Sequence, residues 1–390
     1  MRVITTLPHY PQWKIADGYA HHSLSEVDRG VGIRRLRHYI PSQPSGLRRA
    51  LSELTFGLRL SVEKWGRPDA VVAVSPALIA TAVARIRSLL THRSRPFVVW
   101  VQDLYSLGLS ETGQSGGRVL AAMRLVEGWV LRNATTVVVI HERFAERVHL
   151  DFGVPRERIE VVRNWTHLTV SEPADVAAER AALGWAPGET IVLHAGNMGV
   201  KQGLDNVVAA ARLAQENGAP VQFVFLGNGS QRDTLKDLAK GLTRVTFIDS
   251  LPDAEFTAAL FAADILLVNE KPGVAEMAVP SKLTSYFAAG RPVLAATDPS
   301  GITAEELRRA EAGVTVAAGD PQALLDAVLA LRDDPAAAER YGEAGRRFRD
   351  TVLNESAAID SFSGMLSSLI DADGAIHRHL ESTADHRSKI

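Results

Sequence analysis

Short apolar runs rich in β-branched residues alternate with helical patterns along most of the chain. In the first half these runs fall at residues 3–6, 70–74, 97–101, 136–140 and 159–163. Apolar residues at helical spacing separate several of the runs, as in residues 119–130. Strands that alternate with helices indicate a parallel sheet joined by crossover helices. The sequence therefore predicts an α/β fold.

The length of the chain and one proline-containing segment predict two domains. A chain of 390 residues with 46% hydrophobic content can bury two separate cores. A segment with Pro173 and Pro187 precedes a second series of strands, which starts at residues 191–195. We expect an amino-terminal domain over residues 1–168 and a second domain over residues 169–352.

Charge, cysteine content and hydropathy exclude several classes of function. A formal net charge of −2 provides no basic field for nucleic acid, so no nucleic-acid partner is expected. The chain has no cysteine, which excludes disulfides, thiolate nucleophiles and cysteine-bound metals. No apolar run in the sequence reaches the length of a membrane span. These features favour a cytoplasmic protein.

Two glycine-rich turns follow successive predicted strands of the second half. The stretch HAGNMGVKQGLDN places Gly196 and Lys201 between a strand and a helix, and FVFLGNGS repeats the arrangement at Gly227 and Gly229. Neither turn has the spacing of a Walker loop or of the GxGxxG motif. Because such turns expose backbone N–H groups and a lysine adds a cation, they suit a phosphate group.

A third opening rich in amides lies in AVPSKLTSYFAAGRPVLAA, residues 278–296. Ser281 is predicted to cap a helix that ends at Gly290. Lys282 is then on the first turn, where free N–H groups and the helix dipole favour a phosphate or diphosphate. An ordinary capped core helix is the alternative. Three such openings at one sheet edge favour a nucleotide diphosphate.

Carboxylates and a histidine near strand ends are candidates for chemistry. Asp103 follows the strand at 97–101 and can serve as a base, as an acceptor for a sugar hydroxyl or as a helix cap. His141 ends the next strand and is either a catalytic or a structural histidine. In the loop before the helix of Lys282, Glu270 or Glu276 is placed to meet hydroxyls of a bound ligand.

A basic amphipathic segment covers residues 34–64. Leucine and aromatic residues in it are interleaved with the arginines Arg34, Arg35, Arg37, Arg48 and Arg49. Cations beside apolar side chains suit the surface of an anionic membrane. The alternative is a solvated helix face that packs on its own domain.

The order of the motifs in the second half resembles the donor-binding domain of the family 4 glycosyltransferases with the GT-B fold. The motifs are AGN…KQGLDN, FLGNG and PSKLTSYFAAGRPV. The first half resembles the same family in RVITTLPHYPQW, YIPSQPSGLRRAL, VWVQDLYSLGL and VVRNWT. The resemblance covers about residues 2–369 and is strongest to bacterial exopolysaccharide transferases of the colanic-acid and O-antigen type.

This resemblance implies two Rossmann-like domains that face a cleft. The nucleotide-diphosphate sugar is then expected on the second domain and a lipid-linked saccharide acceptor on the first. The family implies retention of the anomeric configuration, no metal and no other cofactor, and a role in the synthesis of cell-surface polysaccharide or lipopolysaccharide. A peripheral position at the inner face of the plasma membrane is the corresponding location.

The resemblance also implies roles for individual residues. Asp103 and Glu276 are the catalytic candidates, and Tyr10, Trp13 and His141 are the candidates on the acceptor side. The candidates for donor binding are Gly196, Asn197, Lys201, Gln202, Gly203, Gly227, Asn228, Gly229, Glu276, Ser281, Lys282 and Ser285.

Several positions depart from the family pattern. Asn197 follows Gly196 where the family has arginine, and Gln202 occupies the commoner lysine position, so the phosphate contacts stay unassigned. Ser285 replaces a glutamate that holds the nucleotide ribose. The base is therefore open between UDP, GDP and dTDP.

The two ends of the chain carry further expectations. The chain begins at what corresponds to the second strand of its relatives, without the first strand and helix, and a true start upstream of Met1 is the preferred explanation. Residues 353–370 are predicted to form a helix that crosses back to the first domain, and residues 371–390 a disordered tail. Two alternatives to a transferase remain: a partner-dependent subunit that binds a nucleotide sugar without turnover, and a nucleotide-sugar epimerase of the same fold.

Overall fold

The computed structural model describes residues 1–10, 13–19, 22–43, 46–107, 117–166, 175–274 and 281–387, with side chains as far as residue 372. The chain divides into two units. Unit 1 is Met1–Val162 with Asp360–Ile390, and unit 2 is Arg163–Ile359.

Unit 1 contains two separate sheets. The first has the order β1-β3-β2 and consists of β1 (Arg2–Thr6), β2 (Leu24–Asp28) and β3 (Val31–Leu36). The second has the order β4-β5-β6-β7, is parallel throughout, and consists of β4 (Val71–Ser75), β5 (Phe97–Val101), β6 (Thr136–Val139) and β7 (Ile159–Val161).

The predicted strands of the first half are all present, but β2 and β3 form a hairpin that the sequence analysis did not predict. β3 is parallel to β1 and antiparallel to β2. Between β2 and β3 the residues Arg29 and Gly30 both have positive φ, 46° and 80°. Two positive φ values in a two-residue loop are typical of the turns that match the twist of a hairpin. The basic segment 34–64 is therefore split between the end of β3 and a helix.

The helices of unit 1 pack on these sheets and on each other. They are α1 (Gly46–Val62), α2 (Leu78–Thr91), α3 (Gly117–Asn133) and α4 (Glu142–Phe152). α1 and α2 approach closely at Gly57, where an added Cβ would lie 3.1 Å from Val83 Cβ and 3.2 Å from Ala80 Cα. β5 and β6 are almost completely buried, as expected for central strands of a parallel sheet.

Unit 2 contains one parallel sheet of six strands in the order β10-β9-β8-β11-β12-β13. The strands are β8 (Thr190–Ala195), β9 (Val221–Leu226), β10 (Val245–Ile248), β11 (Ile265–Asn269), β12 (Val293–Thr297) and β13 (Gly313–Ala317). The chain moves outward from β8 to β10 and then returns to place β11 on the other side of β8. Ligands of open α/β sheets bind at such a reversal, beyond the carboxyl ends of the two strands.

Helices cover both faces of this sheet. They are α5 (Val176–Ala182), α6 (Asp205–Glu216), α7 (Arg232–Leu238), α8 (Asp253–Ala262), α9 (Lys282–Ala289), α10 (Ile302–Ala310), α11 (Pro321–Asp333) and α12 (Pro335–Thr351). Alternate side chains of the buried strands enter two apolar clusters, one on each face. Tyr286 and Phe287 of α9 belong to one cluster, and Phe223 and Phe225 of β9 belong to the other.

The last helix, α13 (Glu355–Arg387), passes from unit 2 into unit 1 at Asp360. In unit 1 the ring of Phe362 lies 5.0 Å from the ring of Trp100. The helix continues as far as Arg387 through residues that the sequence analysis assigned to a disordered tail. Within the described residues, no helix has both the length and the apolar character needed to cross a bilayer.

Candidate nucleotide-sugar site

The two glycine turns of unit 2 pack directly against each other beyond the ends of β8 and β9. Gly196 and Gly227 both have φ of +125°. A Cβ at Gly227 would lie 2.4 Å from the carbonyl oxygen of Gly196, and a Cβ at Gly229 would lie 2.4 Å from that of Met198. Only glycine fits these positions without movement of the backbone. The predicted convergence of the two turns is therefore present.

The start of α9 reaches the same place through Lys282. A Cβ added to Gly196 would be 3.9 Å from both Cε and Nζ of Lys282, so the amine lies over the first glycine turn. Ser281 has helical backbone angles, and its side chain makes no capping hydrogen bond. The prediction that Ser281 caps this helix is wrong. A capping residue has non-helical backbone angles, which let its side chain accept from an N–H group of the first turn.

Lys201 lies in a short 3₁₀ turn, Val200–Gln202, that is tied to the end of β11. Its carbonyl oxygen accepts a hydrogen bond of 2.9 Å from the backbone N–H of Lys271. The Gln202 side chain accepts from the backbone N–H of Gly199 at 3.0 Å, so its oxygen is used within the turn. Gly203 ends the turn with φ of +52°. The turn thus presents Lys201 at the carboxyl edge of the sheet.

Two buried asparagines that the sequence analysis missed hold this turn in place. The Asn269 side chain donates to the carbonyl oxygens of Gln202 and Gly203 at 2.7 and 2.9 Å. Its oxygen accepts from the Asn206 side chain at 2.9 Å. In the sequence, the signal for this role is that Asn269 is a polar residue at the end of an apolar strand. The partners of its side chain cannot be predicted locally, because they depend on the pairing of β8 with β11.

Glu270 follows β11 and faces the lysines. Its carboxylate accepts hydrogen bonds from the hydroxyls of Thr297 and Thr303, the latter at 2.7 Å. Burial raises the pKa of Glu270, while the two hydroxyls, Lys282 and Lys201 act in the opposite direction. Of the two carboxylates predicted for this loop, Glu270 therefore lies close enough to Lys282 and Lys201 to interact with them electrostatically. Glu276 lies outside the described residues.

The surroundings of Lys282 bring the pKa of its amine close to neutral pH. Desolvation lowers the pKa of Lys282 to about 7; the Glu270 carboxylate opposes this shift and Lys201 adds to it. Nζ of Lys282 lies 3.4 Å from both ring nitrogens of His194, a fully buried residue of β8. The amine therefore changes its charge readily in response to a nearby anion.

Three other donor candidates lie elsewhere in unit 2. Asn197 is exposed, the Asn228 side chain donates to Ser250 at 3.4 Å, and Ser285 Oγ lies 3.4 Å from Thr166 Oγ1. Their roles in donor binding stay predictions.

Candidates in unit 1 are placed by their own local structure. His141 is fully buried and caps α4, because its Nδ1 accepts from the backbone N–H of Arg143 at 3.0 Å. Asp103 lies two residues after β5 and is partly buried. The turn that follows it is anchored by the buried carboxylate of Glu127, which accepts from the N–H groups of residues 105 and 106 at 2.6 and 3.0 Å.

The aromatic candidates on the acceptor side belong to the loop after β1. Tyr10 is 78% exposed, and the Trp13 ring lies 5.6 Å from the ring of His9. Trp13 has a positive φ of 54°, which is uncommon for a bulky residue. In the described part of the chain, no group of three or more histidine, aspartate or glutamate side chains is arranged to hold a metal ion.

A parallel sheet with glycine turns at a reversal of strand order is typical of α/β domains that bind nucleotides. Family comparisons identify the class more closely. Residues 1–165 match the glycosyl transferase 4-like domain, and residues 175–348 match glycosyl transferases group 1. WcaI of Escherichia coli K12, named for colanic acid biosynthesis, is 31% identical over 305 residues, 74% of this chain and 73% of WcaI.

Solved structures give the same fold. HepE of Anabaena in complex with UDP superposes with a TM-score of 0.66 at 18% identity, over 82% of this chain and 84% of HepE. WaaG, a glycosyltransferase involved in lipopolysaccharide biosynthesis, superposes with a TM-score of 0.60 at 15% identity, over 85% and 87%. The chain belongs to the family 4 glycosyltransferases and has the GT-B fold.

Proposed function

We propose that this glycosyltransferase moves a sugar from a nucleotide-diphosphate sugar to a lipid-linked saccharide in the synthesis of cell-surface polysaccharide, with retention of configuration. The observation that carries the donor part is the convergence of the turns at Gly196 and Gly227 with Lys201 and Lys282 at the reversal of strand order. HepE, which shares the fold, was solved with UDP and with UDP-glucose.

The proposed chemistry follows from where charge develops. As the bond to the sugar breaks, the leaving diphosphate gains negative charge, and oriented amides with nearby cations stabilise that charge. The N–H groups of the two glycine turns, Lys201 and Lys282 supply this stabilisation. We propose no metal or other cofactor, because these groups can provide the positive charge that a divalent ion provides elsewhere. Asp103 and Glu276 remain the proposed catalytic carboxylates.

The acceptor part of the proposal rests on relatives and on one surface of unit 1. WcaI, which is named for colanic acid biosynthesis, supports a role in exopolysaccharide synthesis. Helix α1 presents an apolar stripe to solvent: Leu47 is 85% exposed and Val62 is 77% exposed, with Leu51 and Leu58 between them. Arginines on the same helix, such as Arg48, are exposed beside the stripe. Together they suit the headgroup region of an anionic membrane, which supports a peripheral location.

The donor part is tested by binding. Thermal unfolding of the full chain with UDP-, GDP- and dTDP-sugars should show a stabilising shift with one nucleotide class, because a ligand of the folded state raises its stability. Lys282→Met should abolish the shift. Lys271→Met, which removes an exposed lysine of the neighbouring loop, should preserve it. A folded protein that responds to no nucleotide sugar would refute the donor site.

Product analysis separates the transferase from the alternatives. A transferred sugar on a lipid-linked acceptor is the expected product. Epimerised donor in the absence of acceptor would indicate an epimerase, and donor binding without any product would indicate a binding subunit.

The membrane part is tested by sedimentation with vesicles that contain an anionic lipid. The wild type should sediment with them and a Leu51→Asp/Leu58→Asp variant should not. Val352→Asp, which alters an exposed aliphatic residue of unit 2, is the matched control and should sediment like the wild type. Equal sedimentation of all three proteins would contradict a docking role for α1.

A further inference from the structure

His194 occupies a buried position directly beneath the first glycine turn. It is the fifth residue of β8, four residues before Met198 of the turn, and its side chain is inaccessible to solvent. One ring nitrogen, Nε2, lies 3.4 Å from the carbonyl oxygen of Asn197. The ring also packs against Phe225 of β9, with 6.2 Å between ring centroids. The imidazole is thus held by the strand, the turn and the neighbouring strand.

The charge state of His194 makes it a partner for the amine. Burial lowers the pKa of His194 well below its usual value, and the nearby Lys282 lowers it further, so the ring is neutral. A neutral imidazole has one N–H donor and one bare nitrogen. The backbone carbonyls of Asn197 and Leu267 both face the ring, and only one of them can accept its single N–H. The other nitrogen is bare, and Nζ of Lys282 lies 3.4 Å from it in either tautomer.

Lys282 has a competing partner in Glu270. The Glu270 carboxylate at the end of β11 attracts the amine, and Lys201 in the turn after β8 repels it. A lysine side chain has a flexible stem of four carbons, so its amine can settle in more than one place. Its position over Gly196 therefore requires an acceptor on that side. Among the described residues, His194 contacts the amine within 3.4 Å.

We propose that His194 is a positioning residue, whose imidazole holds the Lys282 amine over Gly196, where the diphosphate of the donor would lie, and away from an ion pair with Glu270. This proposal rests on the proposed donor site. It assigns His194 no contact with the donor: the imidazole acts through the lysine.

The test compares His194→Phe, which keeps an aromatic ring without nitrogen, with His194→Gln, which keeps a polar donor and acceptor. Phe225→Leu is the matched control, because it disturbs the same packing and removes no polar atom. One measurement is the affinity for UDP, GDP and dTDP by calorimetry. Loss of the acceptor of a charged hydrogen bond should weaken binding of the preferred diphosphate about tenfold in His194→Phe, and about threefold or less in His194→Gln.

A second measurement needs no donor. The rate at which acetic anhydride modifies Lys282, followed by mass spectrometry against pH, reports the midpoint of its titration. In His194→Phe the amine should move toward Glu270, which raises the midpoint, whereas Phe225→Leu should leave the midpoint unchanged.

The outcomes distinguish this proposal from the proposed function. An unchanged or lower midpoint in His194→Phe, or an equal change in Phe225→Leu, would overturn the positioning role. A wild type that binds none of the three diphosphates would refute the donor site, while the titration of Lys282 would still decide whether His194 positions the amine.

Discussion

The affinity for the donor should fall as pH rises through neutrality, because in the proposed donor site Lys282 should gain a proton when a diphosphate binds. In the free protein the pKa of Lys282 is about 7, set by desolvation, with Glu270 opposing and Lys201 adding to the shift. His194 is neutral throughout this range, since its pKa lies well below the usual value. A bound diphosphate places negative charge beside the amine and should return the pKa of Lys282 to roughly 10, the ordinary range for lysine.

The size of the effect follows from linkage between protons and ligand. With a pKa of about 7 in the free protein and roughly 10 in the complex, affinity should fall about 20-fold between pH 6.5 and 8.5. The direction of the pH dependence follows because the complex contains protonated Lys282. Binding is therefore tightest at the acidic end of the range. Proton uptake on binding should be about 0.9 at pH 8 and about a quarter of a proton at pH 6.5.

Isothermal titration calorimetry with the preferred nucleotide sugar measures both quantities. A nucleotide sugar is a better probe than the free diphosphate, because its diphosphate is a diester and does not titrate in this range. Repetition in two buffers of different ionisation enthalpy gives the number of protons taken up. Lys282→Arg should bind with little dependence on pH, since arginine stays charged, and Lys271→Met should behave as the wild type. Affinity that changes less than about threefold across the range would refute the reasoning, as would proton uptake that persists in Lys282→Arg.

Three substitutions test the framework around the site. Gly227→Ala should lower the free energy of unfolding in urea by about 2 kcal/mol or more, because its Cβ would lie 2.4 Å from a backbone oxygen at φ of +125°. Gly241→Ala, with φ of +81° and no atom within 4 Å, should cost only about 1 kcal/mol, and an equal loss in the two variants would contradict the packing argument. Glu306→Gln should destabilise unit 2 by about 3 kcal/mol, because it removes the buried carboxylate that pairs with Arg163. The double variant Glu306→Gln/Arg163→Met should recover part of this loss. Tyr286→Phe should cost about 1–3 kcal/mol, because its oxygen accepts at 2.9 Å from the last backbone N–H of β8, and no measurable loss would show that this N–H finds another partner.

The strands that carry apolar runs could be predicted from the sequence, and the hairpin of β2 and β3 could not. β5 and β6 are almost wholly buried, so each appears in the sequence as a continuous apolar run. β2 and β3 are half-exposed and mix arginine and glutamate with valine and isoleucine, and the pair of Arg35 with Glu26 joins them across the hairpin. Such strands lack the apolar signal, and only the turn at Arg29 and Gly30 indicated them.

The glycine turns and the lysines of the site were predictable, whereas their supports were not. Gly196, Gly227 and Lys282 stand out because glycine and lysine in those local contexts suit few other purposes. The roles of His194 and Asn269 depend on which strand lies beside β8, and so does the approach of Glu270, already a candidate from the sequence, to the lysines. That neighbour is β11, about 70 residues away along the chain, and no local pattern specifies it.

In the proposed donor site, the arrangement around Lys282 reconciles two opposing demands on positive charge. A diphosphate site needs positive charge when the donor is present, but Lys201 and Lys282 beside a helix start and two amide turns would repel each other when it is absent. Desolvation allows Lys282 to release its proton near neutral pH, while Glu270 keeps a carboxylate close by and His194 offers the amine an acceptor. The free energy needed to protonate the buried amine is then offset by its attraction to the bound diphosphate. A site built in this way is strongly positive mainly when an anion occupies it, which favours binding of diphosphates over weaker anions that cannot restore the proton.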